Sequence, residues 1–190
     1  MADEYVETGL IGGDEKLRIR IVDYDAEWPK KFEAHARVIA DALGSAALQI
    51  EHVGSTSVPG LAAKPIVDIL VVVQNSADES SYLSRLEAAC YILRVREPHW
   101  NEHRMFRTHE KDVHIHIYSV GCAEIQRVLT FRDRLRMNID DRRRYEKTKR
   151  ELAAREWPNM DAYAKAKTEV IEMIITHCEL TKPIDDSSTR

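Results

Sequence analysis

From Leu17 to Val22 the chain reads Leu-Arg-Ile-Arg-Ile-Val, an alternation that predicts a half-buried strand after a lead-in over residues 1–16. Phe32, Ala36, Ile39 and Leu43 then recur on one face of a helix that Asp25 could cap, with Pro29 tolerated in its first turn and Gly44 ending it. Leu48 to Val53 predicts a short strand. Ile66 to Val73 is apolar on both faces apart from Asp68, as a strand inside a sheet requires. A helix is expected from Gln74 to about Cys90, followed by strands at Tyr91–Val95, Arg104–Thr108 and Val113–Tyr118. After Gly121 the period becomes helical: Ile125, Val128, Leu129 and Leu135 share a face. A charged helix restarts at Asp140 or Asp141, and a last helix after Pro158 aligns Tyr163, Ala166, Val170, Ile174 and His177. Residues 180–190 form a loose tail, so residues 17–179 make one α+β domain with its helical mass at the C-terminal end.

At 190 residues, with 44% hydrophobic and 32% charged side chains, the chain suits one globular domain, and disorder is excluded for its bulk. No apolar run approaches the roughly 20 residues of a membrane span, and the acidic start MADEYVETG lacks a signal-peptide core, so a cytoplasmic protein without membrane attachment is expected. Cys90, Cys122 and Cys178 form neither a CxxC pair nor a disulfide framework. The net charge of −4 hides a polarity: Arg127–Arg155 carries +6 and the remainder −10. Within that segment Asp140, Asp141, Glu146 and Glu151 stand three or four residues from many of the cations. This argues for a salt-bridged helix and against a nucleic-acid interface.

The loop Gly54-Ser-Thr-Ser-Val-Pro-Gly-Leu-Ala-Ala-Lys-Pro65 carries the sharpest chemistry. Gly54 lets a ligand approach the backbone, and Ser55, Thr56 and Ser57 offer hydroxyls and successive N–H groups to a phosphate, with Lys64 as a mobile cation. The plainer alternative makes the glycines turn punctuation and the hydroxyls helix caps. Asp68 demands a partner in so apolar a strand, either a structural arginine or a ligand. By strand alternation His114 and His116 share a polar face with Asp112 and Tyr118; they are either a hydrogen-bonded pair or, with Asp68, metal ligands. Arg132 lies in the centre of an apolar helical face, so it either pairs with a carboxylate such as Asp68 or holds a phosphate. Arg104 and Arg107 could act likewise from the opposite wall. Trp28, Trp100 and Trp157 are packing anchors, although Trp100 could lie under a base.

The run Glu51-His-Val-Gly-Ser-Thr-Ser-Val-Pro-Gly-Leu-Ala-Ala-Lys-Pro-Ile-Val-Asp-Ile-Leu70 resembles the signature of the GrpB family, which belongs to the nucleotidyltransferase-fold superfamily. Val22-Asp-Tyr-Asp-Ala-Glu-Trp-Pro29, His114-Ile-His116 and Leu129-Thr-Phe-Arg-Asp-Arg-Leu135 support the resemblance, which spans residues 17–175. It implies a nucleotidyltransferase-like mixed β-sheet flanked by helices, and family members also occur fused to dephospho-coenzyme A kinase. In working relatives of the superfamily a Gly-Ser pair holds the triphosphate, and Asp-x-Asp/Glu on the next strand binds metal. Gly54, Ser55 and Asp68 match; position 70 is Leu70, which removes a charge and an oxygen ligand.

The sequence thus predicts a protein that binds a nucleotide or other phosphorylated small molecule. Gly54, Ser55, Thr56, Ser57, Lys64, Arg104 and Arg132 are the candidate phosphate contacts, and a divalent metal (Mg or Mn, or Zn) is expected at Asp68 and His116. If it is an enzyme, it transfers a nucleotidyl or phosphoryl group, and His114 or His116 completes the metal shell or acts as a base beside Asp68. The alternatives are a non-catalytic nucleotide-binding or partner-stabilising module, which would have a protein partner, and a metal-dependent hydrolase using Asp68, His114 and His116.

Overall fold

The computed structural model of the protein describes residues 9–13 and 19–180. Its elements are α1 (Trp28–Leu43), β1 (Gln49–Val53), β2 (Val67–Val73), α2 (Leu83–Ala88), β3 (Ile92–Glu97), β4 (His103–Arg107) and β5 (Val113–Ser119). The helices α3 (Ala123–Met137), α4 (Ile139–Ala153), α5 (Met160–Lys165) and α6 (Thr168–Leu180) follow. The strands make one mixed sheet in the order β1-β2-β5-β4-β3. Only the β2–β5 pair is parallel, aligning Asp68 with His114 and Leu70 with His116.

Strand alternation divides the core. Val67, Ile69, Val71 and Val73 of β2 and Val113, Ile115 and Ile117 of β5 face the cluster built with Ile39 and Leu43 of α1 and Leu86 of α2. Leu70, Val72 and Tyr118 project from the other face toward Ile125, Val128 and Leu129 of α3. β2 is apolar on both faces because helices cover both, each buried aliphatic side chain contributing about 1.5–3 kcal/mol. A third cluster packs Leu135, Tyr145, Val170 and Ile174 over the loop residues Val58 and Leu61, so the C-terminal helices are built onto the loop that follows β1.

Several expectations change. Of the strand expected at Leu17–Val22, residues 17 and 18 lie outside the described part, and Val22 makes an isolated bridge to Ala63 rather than joining the sheet. The helix expected from Gln74 shrinks to α2 and a 3-10 turn at Glu79–Ser81. Asn75 accepts from the Ala77 N–H, Ser80 donates to the Asp78 side chain and Ser81 to the Asp78 carbonyl, local bonds that compete with a helix. Asp25 accepts from the Glu27 N–H, but Glu27 is the N-cap of α1. The single helix expected after Pro158 is two, broken where the Lys167 N–H bonds back to the Ala164 carbonyl, a tightened turn. Gly9–Ile11, within the expected lead-in, pairs with the edge of β3, and the tail over 181–190 lies outside the described residues. No helix among the described residues is long and apolar enough to cross a membrane.

Candidate functional site

The polar side chains of β2 and β5 are collected by their parity. Asp68, His114 and His116 point away from the α1 side, where α3 leaves them uncovered, into a cavity of about 420 Å³ between the sheet and the C-terminal helices. His114 Nδ1 lies 3.7 Å and His116 Nε2 3.6 Å from Asp68 Oδ1. These three residues are the one group of three His, Cys, Asp or Glu side chains among the described residues whose potential ligand atoms all lie within 4.8 Å of one another. Burial pushes the Asp68 carboxyl up, but the neighbouring His116, then His114 and Lys64, hold it below its ordinary value. Burial drives His114 down to about 4 against the pull of Asp68, so its imidazole is neutral near pH 7 and suited to ligation or hydrogen bonding rather than to strong base catalysis.

Gly54 has a tight neighbour, which is Asp68 itself. At φ 68°, a conformation that favours glycine, a Cβ on Gly54 would collide with Asp68 Oδ2. The close approach turns one carboxylate oxygen toward the loop and leaves Oδ1 facing the histidines. Ser55 lines the cavity and is hydrogen-bonded to Tyr145. The next two hydroxyls turn inward: Thr56 Oγ1 lies 3.1 Å from His52 Nε2, and Ser57 Oγ donates to the Gly54 carbonyl at 2.6 Å. The Ser57 and Val58 N–H groups bond back to the Gly54 and Ser55 carbonyls, which leaves fewer donors than a full phosphate nest requires.

Of the opposite wall only Lys64 was singled out from the sequence. Lys64 from the loop, Lys149 from α4 and Lys167 from the α5–α6 junction line the same cavity. Lys149 is 2% exposed, lies 4.7 Å from the Tyr145 ring centroid and donates to the Ala62 carbonyl. Lys64 and Lys167 both stand over the Tyr163 ring, at 5.3 and 4.8 Å. Burial, reinforced by Lys167, pushes Lys64 down to about 8 and Lys149 to about 7, and burial also lowers Lys167. A signal was available: Tyr145 and Lys149, like Tyr163 and Lys167, are four residues apart, so on α4 the lysine shares a helical face with an inward-packing tyrosine, and the turn between α5 and α6 keeps Lys167 over Tyr163.

The structure puts the candidate arginines elsewhere. Arg132 Nη1 donates to Glu51 Oε2 at 2.8 Å and to the His52 carbonyl at 3.0 Å, and its Nε donates to Asp133. Its partner is therefore Glu51, not Asp68, and it fastens α3 to β1. Arg104 Nε donates to Glu79 at 2.7 Å, and neither it nor Arg107 lines the cavity. Asp112 pairs with Lys31 of α1 and accepts from Thr108. Trp100 packs edge-on to His103 and Tyr118 rather than in the cavity. Leu70 is fully buried and lines the cavity next to Asp68. A pair of magnesium ions bridging a triphosphate needs several carboxylate oxygens. Leu70 and the two imidazoles do not supply them, so this residue set does not fit such a pair.

A mixed sheet with a carboxylate-imidazole cluster under a lysine-lined helical cap defines a class of α+β protein with a partly enclosed cavity between sheet and helices. The chain belongs to the GrpB family: the family described as GrpB protein matches residues 18–177. It is 50% identical over 163 residues to a UPF0157 protein of Halalkalibacterium halodurans, covering 86% of this chain and 84% of that one. The crystal structure of conserved protein GrpB from Enterococcus faecalis superposes with a TM-score of 0.72 at 31% identity, covering 83% of this chain and 98% of that one. A dephospho-CoA kinase of Mycolicibacterium paratuberculosis is 29% identical over 175 residues, covering 78% of this chain and 43% of the kinase.

Proposed function

We propose that this protein binds a nucleotide or another phosphorylated small molecule in the cavity between β2, β5 and the C-terminal helices, and transfers a nucleotidyl or phosphoryl group there. The observation that carries the reading is the convergence of Lys64, Lys149 and Lys167 on a cavity whose far wall is Asp68, His114 and His116. Three ammonium groups held together away from water depress one another's protonation, and a multiply charged anion relieves that repulsion and desolvation. Ser55 adds a hydroxyl at the mouth of the loop, and Tyr145 and Tyr163 keep the lysine stems in place. Developing charge on a leaving phosphate would be neutralised by the lysines. A metal held at Asp68 would supply Lewis acidity, and the cavity walls would exclude competing water. The match of Gly54, Ser55 and Asp68 to the Gly-Ser and metal-binding aspartate of nucleotidyltransferase-fold proteins favours a nucleotide over other phosphates.

A second reading, a nucleotide-binding module without catalysis, is favoured by Leu70 in the place of a carboxylate and by the similarity to part of a dephospho-CoA kinase. Calorimetric titration with ATP, pyrophosphate and coenzyme A precursors, alongside an assay for pyrophosphate release, separates the two. Binding with release supports the transferase; binding without release supports the module. Failure of all these ligands to bind the wild-type protein overturns both.

A further inference from the structure

Behind His116 the fold holds a second imidazole that the cavity does not reach. His103 of β4 is 5% exposed; its ring is stacked on that of His116 at 5.3 Å and on Tyr118 at 4.8 Å. Its Nε2 lies 3.0 Å from His116 Nδ1, and its Nδ1 lies 2.6 Å from Glu97 Oε2. Hydrogen bonds therefore link Glu97 on β3, His103 on β4 and His116 on β5, and the far side of His116 faces Asp68 on β2, so the line crosses four strands of the sheet.

The order of protons along this line follows from its ends. The Glu97 carboxylate accepts only, so His103 carries its proton on Nδ1, and a neutral His103 then presents Nε2 as an acceptor. His116 must carry its own proton on Nδ1, which leaves the Nε2 lone pair directed at Asp68 Oδ1, 3.6 Å away. Two acceptors facing each other at that range repel, and a cation held between them turns the repulsion into two favourable contacts. His114 Nδ1 stands 3.7 Å from the same oxygen and offers a third donor atom. Bonds of about 2.0–2.1 Å to tetrahedrally disposed N and O ligands put those atoms roughly 3.3 Å apart, so a contraction of a few tenths of an ångström brings both histidine–Asp68 distances to that value, and all three ligand atoms already lie within 4.8 Å of one another.

We propose that Asp68, His114 and His116 bind one borderline transition ion such as zinc or cobalt in preference to magnesium, and that His103 and Glu97 are positioning residues that fix His116 with Nε2 toward the ion. Two imidazoles and one carboxylate suit such an ion, whereas magnesium keeps oxygen ligands and water. A metal-bound histidine whose other nitrogen donates to a held partner is a stronger and better oriented ligand, and loss of the partner typically weakens binding 10- to 100-fold. The inference deepens the proposed function by naming its metal, yet it requires no nucleotide.

The test is titration of metal-stripped protein with cobalt, read by visible absorption, and with zinc in competition, both without nucleotide. One cobalt per chain with ligand-field bands is expected, unaffected by millimolar magnesium. His114→Ala and His116→Ala should each abolish the bands. His103→Phe should keep the stack and lower cobalt affinity about 10- to 100-fold, His103→Gln should recover part of the loss because its carbonyl can accept from His116 Nδ1, and Glu97→Gln should weaken binding less. Glu97 is partly exposed, so its variant remains informative should a His103 variant fail to fold. Bands that persist without His116, a magnesium affinity equal to that for cobalt, or unchanged affinity in both the His103→Phe and Glu97→Gln proteins overturns the assignment. Absence of nucleotide binding alongside intact cobalt bands would refute the proposed function and leave the metal site standing.

Discussion

Replacing Lys149 by methionine separates binding from stability, because the structure opposes the two. Lys149 is nearly inaccessible, and burial lowers its pKa from 10.5 to about 7. At about 1.4 kcal/mol per pH unit, that difference disfavours the charged form in the fold by about 5 kcal/mol. Folding depresses this pKa, so between pH 7 and 10.5 the unfolded chain binds more protons than the folded one. Stability therefore rises with pH across that window and is lowest below about pH 7. Methionine fills a similar volume and removes this disadvantage. It also strips the Ala62 carbonyl of its donor, at about 1–3 kcal/mol. Lys149→Met should be more stable than wild type by about 2–4 kcal/mol at pH 7, and its rise in stability with pH should flatten. Losing one charged hydrogen bond should weaken ATP or pyrophosphate binding by about 1.5–3 kcal/mol, one to two orders of magnitude. Urea unfolding at pH 6 to 10 measures the first effect. Calorimetry in buffers of different ionisation enthalpy measures the second, with wild type taking up protons on binding above pH 7. A destabilised variant with unchanged anion affinity would refute the reasoning, since Lys149 would then be an ordinary structural residue.

Three further outcomes follow from the same contacts. Gly54→Ala should lower stability by about 1–2 kcal/mol for its left-handed backbone alone and displace Asp68, so the urea midpoint should fall and metal affinity should fall with it. Arg132→Ala, which breaks the bonds to Glu51 and the His52 carbonyl, should cost about 2–3 kcal/mol in unfolding while leaving ATP affinity within twofold; a tenfold loss of affinity would return Arg132 to the site. Leu70→Asp should bring magnesium binding measurable by calorimetry in the presence of ATP, in a protein destabilised by several kcal/mol without the ion.

The sequence by itself determined the periodicities and therefore most of the elements. Alternation through Val113–Tyr118 settled which side chains of β5 leave the α1 core, and the two-sided apolar run over Ile66–Val73 settled that β2 lies inside the sheet, because each neighbour in a strand must face the opposite side. It also singled out Gly54, Ser55, Lys64, Asp68, His114 and His116, which all line one cavity. Arg132 was read as an inward-facing cation in need of an anion, with a carboxylate and a phosphate both open; that it takes Glu51 and Asp133 depended on how α3 lies across β1, a choice that no local pattern makes. Local hydrogen bonds of Asn75, Ser80 and Ser81 overrode the expected helix in the same region where composition suggested one. Only tertiary structure brought Lys149 and Lys167 to the cavity and His103 behind His116, since those contacts join residues far apart in the chain. A helical face states that a side chain is turned inward; what it meets there is decided by the packing of another element, and that energy is written in no single segment.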